Sequence, residues 1–99
     1  MTIENFQRMK EDLWRAAETK ARECIAAMPD AHRPRLKEIA EQEFKPDLEE
    51  IAIVKVRFQT SPTLTEAGHF SGRYAVLYRG LCKRVSLFLL GVNVQKKEP

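Results

Sequence analysis

RYAVLYRGLCKRVSLFLL, residues 73–90, is rich in Tyr, Val, Leu and Phe and is broken by Gly80-Leu81. Aromatic and β-branched residues of this kind favour strands, and a glycine leading the pair suits a two-residue type II′ turn. The spacing predicts a β-hairpin in which Arg79 faces Cys82, Leu77 faces Arg84 and Val76 faces Val85. A four-residue loop would set Arg79 against Arg84, which like-charge repulsion disfavours. One face of the hairpin then carries Tyr74, Val76, Tyr78, Val85, Leu87 and Leu89. The other carries Arg73, Leu77, Arg79, Arg84, Ser86, Phe88 and Leu90.

Working back along the chain, Ile51–Gln59 shows a period of two. Ala52, Val54, Val56 and Phe58 alternate with Ile53, Lys55, Arg57 and Gln59, the pattern of a strand buried on one side. Thr60-Ser61-Pro62 closes it, and residues 60–72 read as an exposed loop. Matching the apolar sides puts Val54, Val56 and Phe58 on the inner face of a sheet. The outer face gathers Lys55, Arg57, Arg73, Arg79 and Arg84, interleaved with Ile53, Leu77 and Phe88. Residues 91–94 extend the last strand or leave it, and 95–99 form a polar tail.

The first half is helical in pattern. Thr2 is a suitable N-cap with Glu4 in the first turn. Apolar residues then recur at Ile3, Phe6, Met9, Leu13, Ala16/Ala17, Ala21, Cys24 and Met28, a stripe that spans about 25 residues of helix. Trp14 and Ile25 lie beside the stripe, as core edge or as a seam for a second copy of the chain. Pro29-Asp30 ends this helix. A second one starts near Pro34 and runs through Leu36, Ile39, Ala40 and Phe44 until Lys45-Pro46 breaks it. Asp47–Glu50 adds at most one more turn. Joined by a short connection, the two helices are expected to form an antiparallel pair. The fold class is therefore α+β, with two antiparallel helices on one face of a three-stranded, mainly antiparallel sheet (ααβββ).

Composition bounds the rest. Ninety-nine residues, 43% hydrophobic and 31% charged, suit one small globular domain over 1–99, with a helical half (1–50) and a strand half (51–94). No apolar run of about 18 residues is present for a membrane span, and the charged start, MTIENFQRMKEDLW, is no signal peptide. Cys24 and Cys82 read as reduced, small apolar residues of an intracellular, cytoplasmic protein. Charge is unevenly divided. Residues 1–50 hold nine Lys+Arg against twelve Asp+Glu, whereas 51–99 hold eight against two. Such a split suggests a basic surface for an anionic partner, although glutamate's preference for helices also contributes.

The sequence carries no glycine-rich phosphate loop, no Gly-x-Ser-x-Gly nucleophile and no Cys-x-x-Cys. Glu66 with His69 lacks the further ligands that a metal needs, and His32 reads as a surface histidine. No catalytic, metal or cofactor residue is assigned. The candidate site is the basic sheet face: Lys55, Arg57, Arg73, Arg79 and Arg84, with Leu77 and Phe88. Arginine makes bidentate contacts to phosphate and carboxylate, so RNA or an acidic protein would each suit it. Alternatively, long basic stems merely cover the sheet. The contiguous apolar residues Ile53, Leu77, Phe88 and Leu90 favour a docking role.

The segment GRYAVLYRGLCKRVSLFLLGVNVQKKEP (residues 72–99) is similar to the C-terminal half of RelE/HigB-type toxins of bacterial toxin–antitoxin pairs. The likeness lies in a Tyr-containing basic strand, a tight turn, a Val/Leu-rich strand and a Lys-Lys end. It implies two helices packed on a twisted antiparallel sheet, and a metal-independent ribonuclease acting on ribosome-bound mRNA. Arg73, Arg79, Arg84 and Tyr78 would then match the basic cleft, and Lys96-Lys97 the basic end. The chain departs from that family in opening directly with a helix, and a long one. Three expectations follow. The protein is a non-enzymatic binding or regulatory module that docks its basic face on an acidic macromolecule, in the manner of the small inhibitors carried by phages or plasmids. Or it is a toxin-like ribonuclease or RNA-binding protein. Or it is a homodimeric assembly protein joined through its first helix.

Overall fold

A computed structural model describes the backbone of residues 2–97 and the side chains of residues 2–91. It consists of α1 (Ile3–Ala26), a 3-10 turn at Arg33–Arg35, α2 (Leu36–Glu43), α3 (Lys45–Gln59) and α4 (Leu64–Lys97). There is no strand among the described residues. The expected α+β fold is therefore corrected to a bundle of helices. Neither the hairpin at 73–90 nor the strand at 51–59 forms, and the sheet implied by the likeness to RelE/HigB-type toxins is not formed either.

The reason can be read in α4. Tyr74, Leu77, Tyr78, Leu81, Cys82, Val85, Phe88 and Leu89 recur at steps of three and four, and all of them join the core or pack against it. Val76 and Leu87, assigned to the inner sheet face by alternation, are instead 55% and 67% exposed. No described glycine has a positive φ, so Gly80 does not occupy the turn conformation that a type II′ hairpin requires. A glycine inside a helix costs about 1 kcal/mol relative to alanine. Burying a leucine or valine side chain returns about 1.5–3 kcal/mol, and Leu81, Val85 and Leu89 are all buried. Packing outweighs the local preference.

The stretch expected as a loop, 60–72, is mostly the first turns of α4. Its start is fixed by Thr63, whose Oγ1 accepts a hydrogen bond from the Glu66 amide at 3.1 Å, the Thr-x-x-Glu arrangement of a helix N-cap. In α3, Pro46 occupies the first turn with Asp47 beside it. Ile51, Val54 and Phe58 are buried while Val56 is 56% exposed, which is helical spacing rather than alternation.

The expected helix at the N-terminus is present and capped as read: Thr2 Oγ1 accepts from the Asn5 amide at 3.1 Å. Its buried stripe holds at Ala17, Ala21 and Met28 but not near its start. Lys10, Ala17 and Ala21 are buried, whereas Ile3 is 81% and Met9 46% exposed. The second expected helix is shorter than read. The α1–α2 pair is not the organising unit, because α1 and α3 both pack chiefly on α4. Facing residues rise together along α1 and α4, from Trp14 with Tyr74 to Cys24 with Cys82, so the two helices run parallel. Asp47 faces Arg84 and Glu50 faces Arg73, so α3 runs antiparallel to α4. The result is a rod of 65 × 23 × 17 Å with α4 as its spine. Glu98 and Pro99, the end of the expected polar tail, lie outside the described residues, as do the side chains of Lys96 and Lys97.

Candidate partner-binding face

Without a sheet, the expected basic face has no common surface to occupy. Arg73 pairs with Glu50, and Arg84 pairs with Asp47 at 2.5 Å. Both arginines thus close α4 onto α3. Lys55 extends over the ring of Trp14, with Nζ 5.9 Å from the centroid, and Arg57 is exposed on α3. Leu77 and Phe88 are half-buried against the core, Phe88 edge-on to Phe44 with centroids 6.1 Å apart. Arg79 alone of the seven stands on the open side of α4, beside the α1–α4 seam. The basic cleft implied by the toxin likeness is likewise not assembled, since Tyr78 is half-buried and tilted against Tyr74 with centroids 5.2 Å apart.

One end of the rod is built from rings and cations. Trp14 lies 4.9 Å from Phe58 and 4.5 Å from Tyr74, centroid to centroid. Lys10 is buried beneath, and its Nζ donates to the carbonyl oxygens of Gln59 and Ser61 at 2.8 and 3.0 Å. The same ammonium sits 5.7 and 5.6 Å from the ring centroids of Phe6 and Phe58, within cation–π range. Lys10 therefore satisfies the carbonyls at the α3–α4 turn and ties that turn to α1. Burial pushes the Tyr74 hydroxyl up to about 12, with Tyr78 and then Glu18 adding to the effect. Trp14 and Ile25, weighed as a dimer seam, are both half-buried and in contact with residues of their own chain.

The other end is apolar. Met28, Ile39, Ala40, Ile51, Leu81, Cys82, Val85 and Leu89 form its core. His32 is buried here rather than at the surface, with Nδ1 3.1 Å from Ser86 Oγ. Burial pushes the Cys82 thiol up to about 11, and the neighbouring Cys24 adds to it. Both cysteines are free.

Between the two ends, small side chains along the seam of α1 and α4 leave a trough. One part, about 670 Å³, has Ala16, Ala17, Gly68, Gly72 and Ala75 among its lining residues. A second, about 490 Å³, runs on past Cys82 and Lys83 to Ser86. Glu23, Cys24 and Arg79 border both parts, so the trough is continuous. Lys20, Arg79 and Lys83 stand along it, all exposed and without an ion-pair partner among the described residues, against the single acid Glu23. Sequence reasoning missed Lys20 and Lys83 as members of this face. The absence of any Asp or Glu from Ala67 to Lys97 was the available signal.

No group of three His, Cys, Asp or Glu side chains that could hold a metal comes together among the described residues. No helix among them is long and apolar enough to cross a membrane. Compared with known family models, curated proteins and solved structures, the chain matches none.

Proposed function

We propose that the protein is a non-catalytic binding module that docks an acidic protein on the open face of α4, beside α1, acting in the cytoplasm. One observation carries this reading: the two sides of α4 treat their cations differently. Arg73 and Arg84 are neutralised by Glu50 and Asp47 of α3, whereas Arg79 and Lys83 have no ion pair among the described residues. Val76, Leu87 and Leu90 are 55%, 67% and 51% exposed on the same helix. Cations that flank exposed apolar side chains make up the composition of a protein interface rather than of a merely solvated helix. RNA is less well served, because the rings that could stack on bases are gathered around Trp14, where Phe58 and Tyr74 already pack on it. The free thiols Cys24 and Cys82 suit a reducing compartment.

A photo-crosslinking amino acid in place of Val76, in the full chain exposed to a cell lysate, tests the proposal. The expected result is a discrete protein adduct that survives nuclease and disappears in Arg79→Glu/Lys83→Glu. Adducts to nucleic acid only, or a protein adduct indifferent to the charge reversal, would overturn it.

A further inference from the structure

We infer that the occupant of this face is an acidic amphipathic helix lying lengthwise in the α1–α4 trough. The inference rests on the binding reading above and adds the partner's shape. Three observations lead to it.

The trough has the length of a helix. It follows α4 from Gly68 to Ser86, about 27 Å at the standard rise, or about five turns. Its walls are themselves two parallel helices, so a third can pack along the seam by the ridge-and-groove rules that hold any bundle together. A single-stranded nucleic acid would ask for stacking platforms, and the rings of this protein are gathered instead in the cluster around Trp14.

The lining is made of residues that the chain itself does not need to be small. Glycine weakens a helix interior relative to alanine. A close contact can justify that cost, yet a Cβ built at Gly68 or Gly72 meets nothing within 4 Å. Nothing inside this protein explains either glycine. A backbone approaching from outside does explain them, because small residues let helix axes come close.

The charges choose the chemistry. Lys20, Arg79 and Lys83 stand along the trough against Glu23 alone. An acidic helix with an apolar stripe answers both the cations and the exposed Val76. A second copy of this α4 would instead bring Arg79 and Lys83 against their own counterparts, which like-charge repulsion opposes. A flat anionic bilayer would not fill a concave seam.

The probe is a synthetic peptide of about five helical turns, with leucines at helical spacing and glutamates on the flanks. It is titrated into the isotopically labelled full chain at low salt and followed by amide chemical shifts. Shifts are expected at Gly68, Gly72, Arg79 and Lys83. Affinity should fall at least about tenfold in Arg79→Glu/Lys83→Glu and similarly in Gly72→Leu, as for loss of a central contact. Gly72→Leu should melt no lower than the parent, since its Cβ has open space and leucine is a better helix former than glycine. The lysine-for-glutamate version of the peptide should bind only the charge-reversed protein. Binding that survives Gly72→Leu but not charge reversal would overturn the trough and leave the basic-face reading standing. Binding unaffected by charge reversal would end both. No shift at millimolar peptide, or the same amides shifting with protein concentration or anionic vesicles alone, would overturn the helix as occupant.

Discussion

The two faces of α4 are made from the same stretch of sequence and have opposite fates. On one, Leu81 and Val85 are 1% and 0% exposed, and Arg73 and Arg84 reach across to carboxylates of α3. On the other, Val76 and Leu87 stand in solvent with Arg79 and Lys83. Residue type does not separate the faces, since each has valine, leucine and basic residues. Partners separate them, and the open face lacks what the closed face has.

The largest effect should come from trimming the closed face. Leu81→Ala removes a side chain at the centre of the apolar core and is expected to cost about 2–5 kcal/mol, read as a lowered urea midpoint at unchanged slope. Leu87→Ala, at 67% exposure, should fall within about 0.5 kcal/mol of the parent. Equal losses at the two positions would mean that the open face is covered in solution.

Lys10 is the next test, because it holds the aromatic end together by polar contact. Lys10→Met keeps most of the stem and removes the donor to Gln59 and Ser61. Leaving the part-buried Gln59 and buried Ser61 carbonyls without their charged donor should cost about 2 kcal/mol, seen in the same denaturation curves. Alkali probes the same end. The Tyr74 hydroxyl is raised to about 12 by burial and by Tyr78 and Glu18, so the folded chain keeps a proton that the unfolded chain loses near 10. Stability from this group is present below pH 10 and is lost as pH climbs toward 12. Tyr74→Phe should flatten that part of the stability–pH curve.

Much of the helical half was legible in the sequence, and the reasons mark where reading stopped. Thr2, the three-and-four spacing of Ala17, Ala21, Cys24 and Met28, and the breaks at Pro29 and Pro46 act locally, and α1 and α2 follow from them. The second half contains two periods at once. Tyr74, Val76 and Tyr78 alternate, while Tyr74, Leu77, Tyr78, Leu81 and Val85 wind. β-Branched and aromatic side chains tilt a single-sequence reading toward strand. The tertiary contacts that tilt it back come from α1, α2 and α3, which no window over 73–90 contains. Thr63-x-x-Glu66 was the one local signal of a helix start there. The seven site residues assumed a sheet geometry, so only Arg79 stands on the face now proposed. Lys10 could not have been found, since a buried lysine is defined by the carbonyls it meets forty-nine and fifty-one residues away.

Gly68 and Gly72 sharpen the comparison from the open side. Each has room for a methyl group and no positive φ. Gly68→Ala and Gly72→Ala should therefore stabilise the isolated chain by about 0.5–1 kcal/mol each, raising the melting temperature. A loss instead would show that the seam is already closed in solution.

The smallest effect addresses the cations themselves. Arg84 and Asp47 are 57% and 26% exposed in their pair, so water and salt screen them and Arg84→Ala should cost no more than about 1 kcal/mol. Part of that cost should vanish at high salt, where the Debye length shrinks to about 3 Å. Arg79→Ala removes a cation that makes no ion pair among the described residues, and the isolated chain should not register it at any salt. In the presence of an acidic partner the order inverts. Arg84→Ala leaves binding unchanged because Asp47 already holds that arginine, while Arg79→Ala weakens it. The inversion is the sharpest form of the comparison, since one helix supplies both residues and only the company they keep distinguishes them. A stability loss on Arg79→Ala equal to that on Arg84→Ala would mean that Arg79 has a partner within the chain after all, and the open face would lose its claim on an external one.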